Sequence, residues 1–176
     1  MVPITLNTPK PLVRVRGKRI VDSLLDAVVA AGIEEVYVVR GYLGEQFDQL
    51  LRKYPMIKFL ENPLYNEANN ISSIVVAKDI LSNAYVIESD LLLSNPDLLT
   101  KYQYYSNYLG IPVERSDDWC LSVKKGVVTG VSVGGENCWQ MVGISYWNAE
   151  DGKRLAKDVP AAFDMPGGKE RYWDEV

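Results

Sequence analysis

Between Ile20 and Glu88 the chain alternates helix-forming and strand-forming runs three times, and no other feature limits its possible folds as strongly. IVDSLLDAVVAA, from Ile20 to Ala31, sets apolar residues at helical spacing and runs into Gly32, where helices commonly stop. EVYVV, Glu35 to Val39, is a β-branched run closed by Arg40 and Gly41 and reads as a buried strand. Leu43 to Tyr54 is helical again, with Phe47, Leu50 and Leu51 on one side, and Ile57 to Leu60 is the next strand. Asn69 and Asn70 suit a helix cap before ISSIVVAKDIL, and AYVIE, Ala84 to Glu88, is the third strand. Units of this length predict crossover helices over a mostly parallel sheet, an α/β fold.

After Asp90 a further helix is predicted over Pro96 to Tyr104, and then the pattern changes. Gly110 to Val113, Trp119 to Val123, Val127 to Val133 and Gln140 to Tyr146 read as strands. Tight turns at Lys124-Lys125-Gly126 and Gly134-Gly135 join them, giving the sheet a mixed or antiparallel extension. Glu150 to Lys157 is a short helix and Pro166-Gly167-Gly168 a loop. With 176 residues, 47% hydrophobic and 24% charged, and no linker or repeat, one domain over residues 1–176 is expected.

A formal net charge of -4 removes the electrostatic reason for nucleic-acid binding, since DNA and RNA attract basic faces. The chain has no histidine, which excludes Ser-His-Asp and Cys-His nucleophilic systems and any imidazole acid or base. Chemistry must therefore run on carboxylates, lysine, metal and positioning. Cys120 and Cys138 form no C-x-x-C pair and read as reduced core thiols. No apolar run approaches the ~20 residues of a membrane span, and no signal peptide is visible, so the cytoplasm is the expected location.

In open parallel sheets, ligands gather beyond the carboxyl ends of the strands. Three polar clusters fall there: Arg40-Gly41-Tyr42, the stretch Asn62 to Asn70, and Glu88-Ser89-Asp90. Asp90, leaving an apolar strand, suits Mg²⁺, which takes one or two carboxylates beside phosphate oxygens and water; Ser89 and Asp90 equally suit a cap on the following turn. Lys10, between Pro9 and Pro11, is predicted on a stiff non-helical loop fit for meeting a phosphate, with an ordinary surface lysine as the other reading. Aromatic residues crowd the second half: Trp119, Trp139, Tyr146, Trp147, Tyr172 and Trp173. Most such rings serve cores, while some can face a cationic head group.

Taken in order, the run NTPKPLVRVRGKRIVDSLLDAVVAAGIEEVYVVRGYLGEQF, then ENPLYNEANNISSI, then AYVIESDLLL, resembles the bacterial choline-phosphate cytidylyltransferases, members of the nucleotidyltransferase and sugar-1-phosphate pyrophosphorylase family. The resemblance implies a Rossmann-like three-layer fold and a reaction in which CTP and phosphocholine give CDP-choline and pyrophosphate. By position, Lys10 steadies the transferring phosphates, Asp90 holds Mg²⁺, and Asp174 of RYWDE is the second carboxylate ligand. Asn69, Asn70 and Ser73 line the nucleotide and substrate cleft, and Trp119, Tyr146 and Trp173 are candidates for the wall facing choline. Family members begin with an apolar strand and a Gly-rich loop ahead of the residues that start here at Met1. The expectation is a chain incomplete at both ends, with Val36–Val39 and Tyr85–Glu88 lacking a central partner strand and with low stability and activity. Within the class the alternative acceptors are a sugar 1-phosphate or aminoethylphosphonate. A non-catalytic binding module is the alternative outside it, and a phosphatase built on Asp90 fits poorly because Glu88 replaces the first acid of D-x-D.

Overall fold

In the computed structural model, which describes residues 1–176, the chain opens with two 3-10 turns and a small antiparallel hairpin, Arg14–Val15 (β1) and Lys18–Arg19 (β2). Arg16 and Gly17 take φ of 50° and 84°, the two left-handed residues that a tight hairpin turn needs. Ile20–Ala30 forms α1, whose first turn is closed by the Asp22 carboxylate accepting from the Arg19 backbone N–H at 3.0 Å. Val36–Arg40 (β3) and Ile57–Glu61 (β4) pair in parallel, Val36 opposite Ile57 through Arg40 opposite Glu61. Ile71–Ala77 is α2, Ala84–Ile87 is β5, Asn107–Lys124 is β6, Val127–Trp147 is β7 and Ala149–Phe163 is α3.

The elements form three layers. On one face α1 buries Val21 and Leu25 against Phe47, Leu50, Tyr54 and Ile57, and buries Ala27 and Val28 against Leu99 and Ile144. On the other face Ile71, Ile74 and Ala77 of α2 pack against Leu155, Val159 and Ala162 of α3, with Trp173 completing the cluster. Between them the strand side chains alternate: Tyr85 and Ile87 of β5 lie with the α1 group, and Val86 lies with the α2–α3 group. The expected three-layer α/β fold is present, with its parallel pair and its antiparallel strands in separate sheets.

The parallel share is smaller than the alternating sequence predicts. Only β3 and β4 pair in parallel; β5 pairs antiparallel with β7, and β7 with β6. Strands β3 and β5 each have one hydrogen-bonded neighbour and do not pair with each other. The β-branched run of β3 is consequently half-buried along its length rather than fully enclosed.

Four further expectations are corrected. Leu43–Tyr54 is not an α-helix but a 3-10 segment over Gly44–Leu50, entered through Leu43 at φ 49°, with the Arg40 guanidinium taking the Gly44 carbonyl at 3.1 Å. Pro96–Tyr104 yields only a turn at Pro96–Leu98, because Tyr102, Tyr104 and Tyr105 stay 80%, 94% and 73% exposed and leave a helix there no apolar face to bury. The short helix at Glu150–Lys157 extends to Phe163 through Pro160, since Val159 and Ala162 are buried against α2 and outweigh the lost bond. Asn69 and Asn70 precede α2 as expected, yet no side chain caps that helix.

The four expected strands of the second half appear as two long bulged strands. Gly110–Ser116 pairs with Gly135–Met141, and Trp119–Lys124 with Val127–Val133. The ribbon folds so that Cys120 and Leu121 also meet Gln140 and Trp139. The turn falls at Lys125-Gly126, with φ of 53° and 77°. No helix is long and apolar enough to cross a membrane.

Candidate active site

The site is built where β5 ends. The Glu88 backbone N–H donates to the Gly143 carbonyl of β7 at 2.8 Å, and the chain then leaves the sheet carrying Ser89 and Asp90. Lys10 comes to this point from the other end of the first half and forms an ion pair with Asp90. Their side chains are 51% and 29% exposed, so the pair stays reachable by a ligand and stabilises the fold little. Lys10 does not sit on a non-helical loop: it opens the 3-10 turn Lys10–Leu12, set by the extended backbone of Pro9 and by Pro11. The stiffness expected of the P-K-P tripeptide remains, because proline fixes φ in either setting.

Around Asp90 lies an acidic group. The Glu88 carboxyl is pushed up from its ordinary range, by desolvation first and then by the charges of Asp90 and Asp174, with Asp118 adding to them and Lys10 opposing. The charges of Asp90 and Asp174 thus both reach the Glu88 carboxyl. Asp174 sits in the turn Trp173–Glu175 and accepts a hydrogen bond from the Tyr108 hydroxyl at 3.0 Å. Burial raises its pKa, while the bond from Tyr108 works the other way. The Tyr108 hydroxyl is itself pushed up, by burial and by the Asp174 carboxylate, and remains a neutral donor. Glu88 lies against Gly143, whose φ is 68°; a Cβ placed there would stand 2.8 Å from the Glu88 Oε2.

Asn69, Asn70 and Ser73 are used for scaffolding. The Asn70 carboxamide oxygen accepts from the Trp173 backbone N–H at 3.0 Å, and Asn69 bonds the carbonyls of Lys169 and Glu170 at 2.7 and 3.2 Å through its backbone and side chain. The two asparagines thus hold the segment that carries Asp174. Ser73 and Ser72 both accept from the buried Asn62 side chain, at 3.2 and 3.0 Å, which fixes the start of α2 to the end of β4. Arg40 is taken by ion pairs to Asp48 and Glu61, each at 2.6 Å, and lies 4.0 Å over the Phe59 ring.

The three expected wall aromatics do not come together. Trp173 is 5% exposed and packs with Tyr108 and Trp147, ring centroids 6.4 and 6.1 Å away. Tyr146 is on the opposite face of the sheet, edge-to-face with Tyr85 at 5.2 Å, because it lies one residue from Trp147 on the same strand. Trp119 alone is half-buried rather than packed away, and it meets Tyr172 edge-to-face at 5.6 Å beside Asp118. Sequence reasoning passed over Tyr108 and Gly143. Tyr108 is one of eleven tyrosines and carries no motif, and Gly143 is marked only by its place in a long apolar run.

The nucleotidyl transferase family model matches residues 1–117. The chain is 37% identical over 180 residues to the 2-aminoethylphosphonate cytidylyltransferase of Lancefieldella rimae, covering 100% of this chain and 73% of that protein. The chain belongs to the nucleotidyl transferase family. It is also 29% identical to the choline-phosphate cytidylyltransferase of Streptococcus pneumoniae, over 99% of this chain and 76% of the relative. The solved CTP:phosphocholine cytidylyltransferase of that organism superposes with a TM-score of 0.90 at 28% identity, covering 99% of this chain and 76% of the other. The protein is a transferase by family, and the aspartyl phosphatase reading of Asp90 falls away.

Nucleotidyltransferases generally use divalent metal ions. No three acidic or thiol side chains converge on one point here. Asp90 and Asp174, whose charges both reach Glu88, are the acids that would offer oxygens to Mg²⁺, which usually takes one or two carboxylates beside phosphate oxygens and water.

Proposed function

We propose that this nucleotidyltransferase transfers CMP from CTP to a small acceptor that carries a phosphonate or phosphate at one end and a primary ammonium at the other, with 2-aminoethylphosphonate as the first reading. The observation that carries this reading is the Glu88 carboxyl, reached by the charge of Asp118, beside a single half-buried tryptophan, Trp119, which meets Tyr172 edge-to-face. A primary ammonium offers three N–H donors that carboxylates accept, whereas a quaternary ammonium has none and depends on aromatic faces. Trp173 and Tyr146 are packed away and cannot complete such a cage. The 37% identity to the aminoethylphosphonate enzyme over the whole chain supports the same choice.

An acceptor oxygen attacks the α-phosphorus of CTP in line and pyrophosphate leaves, with no covalent enzyme intermediate, a route that agrees with a chain lacking histidine. Lys10 meets the charge that grows on the phosphates, and Asp90 keeps Lys10 in place until substrate arrives. Asp90 and Asp174 are the donors proposed for Mg²⁺, which when bound supplies further positive charge at the phosphates. Tyr108 orients Asp174, and Asn69 and Asn70 hold the segment bearing it.

Phosphocholine is the second reading, favoured by the Trp119–Tyr172 pair and by the fold match to the phosphocholine enzyme. The test is pyrophosphate release from CTP and Mg²⁺ with 2-aminoethylphosphonate, phosphocholine or a sugar 1-phosphate. The expected order of kcat/KM puts 2-aminoethylphosphonate first and the sugar phosphate last. A tenfold preference for phosphocholine overturns the first reading, and CTP binding without turnover on any acceptor points to a binding module instead.

A further inference from the structure

A cavity of about 410 Å³ lies between the β1–β2 hairpin and the end of the Gly44–Leu50 segment with the residues after it, and neither Lys10 nor Asp90 lines it. Its lining is Arg14, Arg19, Gln49, Arg52 and Lys53, with no apolar side chain and no carboxylate. Two of the four cations are already matched. Arg19, 9% exposed, is held by Asp22 at 2.8 Å, and Lys53 by Asp26 at 2.7 Å while lying 4.8 Å from the Tyr54 ring centroid. The other two are not: Arg14 donates only to the Gly17 carbonyl, and Arg52 has neither an ion pair nor a side-chain hydrogen bond.

The cavity therefore holds an excess of two positive charges among fixed partners. The Tyr54 hydroxyl donates into the Asp22–Asp26 pair at 2.8 Å from Asp26, and Gln49 accepts from Arg19 at 3.4 Å while its amide donates to the Gln46 carbonyl. Arg19, Lys53 and Gln49, ordered in this way, lose little further freedom on binding. An apolar ligand finds no wall here, a cation meets repulsion, and a nucleobase finds no ring in the lining to stack on. A phosphate group brings close to two negative charges and oxygens that match the guanidinium fork.

We propose that this cavity is a second anion site, separate from the transfer site, which binds a phosphate-bearing dianion through Arg14 and Arg52 with Arg19 and Lys53 fixed beside them. The ligand class is a phosphate monoester or a free phosphate, and 410 Å³ leaves room for more than orthophosphate.

The test follows the backbone amides of Arg14–Arg19 and Gln49–Tyr54 by NMR during titration of the full chain with pyrophosphate and, in parallel, with CMP. Shifts in both segments are expected. Arg14→Gln and Arg52→Gln should each weaken binding about tenfold or more, the consequence of losing one charge-assisted bond. Both side chains are exposed and unpaired, so circular dichroism should be unchanged. Response to pyrophosphate alone identifies a free-phosphate site, and response to CMP as well identifies a site for the phosphate of a nucleotide; each supports the proposal. Asp90→Asn should leave the shifts intact, which separates this site from the transfer site. Shifts lost in Asp90→Asn, or undiminished in the Arg14→Gln, Arg52→Gln double variant, overturn it, as does the absence of any response at millimolar ligand.

Discussion

Replacing Gly143 with alanine separates two costs that the structure places at one residue. Gly143 has φ 68°, and holding an alanine in this left-handed region costs about 1–2 kcal/mol. Its new Cβ would stand 2.8 Å from Oε2 and 2.9 Å from Cγ of Glu88, so that side chain must leave its rotamer for about 0.5–1.5 kcal/mol more. Together the loss is roughly 1.5–3.5 kcal/mol, which for a chain of this size lowers Tm by about 3–14 °C at roughly 2–4 °C per kcal/mol. Thermal melts of Gly143→Ala, Glu88→Ala and the double variant resolve the parts. In the Glu88→Ala background the alanine at 143 should retain only the backbone share, a coupling of about 1 kcal/mol. Strict additivity of the two substitutions would refute the contact, and a loss below about 0.5 kcal/mol in Gly143→Ala would refute the backbone argument as well. The displaced Glu88 carboxylate moves within the acidic group, so pyrophosphate release should fall with stability in Gly143→Ala.

Lys10→Met should reduce the rate of CMP transfer by about 10²-fold or more with little change in Tm, because the Lys10–Asp90 pair is solvent-exposed; this is read from pyrophosphate release and a melt. Asp22→Asn should cost about 3 kcal/mol in denaturant unfolding by leaving the Arg19 guanidinium buried without its partner. The pH dependence follows. Burial works against ionised Asp22, but hydrogen bonds and charge from Arg19 outweigh it and hold its carboxyl below the ordinary 3.8, so its stabilisation is present above that value and disappears as pH falls through the lowered native one. Glu88 acts in the opposite direction: raised by desolvation and by Asp90 and Asp174, it destabilises as pH rises through its raised native value, and Glu88→Gln should stabilise the protein at neutral pH but not at acid pH. Cys120 and Cys138, whose sulfurs lie 2.8 Å apart, should give up two hydrogens to diamide and form an intramolecular disulfide that Cys138→Ser abolishes, checked by intact mass.

Local chemistry made much of this molecule legible. Apolar spacing and the following Gly32 mark α1, short apolar runs mark β3, β4 and β5, and the Lys125-Gly126 pair marks a hairpin turn, because each signal is carried by neighbouring residues. A lysine between prolines and an acid at the exit of an apolar strand single out Lys10 and Asp90 locally, and the fold joins the two in an ion pair. Segments whose conformation depends on distant contacts were not. Leu43–Tyr54 has helical spacing, but Arg40 claims one of its carbonyls; the helix expected to end at Lys157 continues through Pro160 because α2 packs against Val159 and Ala162.

Residue types and their local order settle an α/β chain with acids and one rigid lysine at the strand ends and no imidazole chemistry. Long-range pairing settles the remainder. That β5 joins β7 rather than β3, that Lys10 meets Asp90, and that Tyr146 and Trp173 fall on opposite faces all depend on long-range pairing and register. In a pleated strand a shift of one position sends a side chain to the other side of the sheet, and no run of neighbours encodes which register the distant partner will adopt.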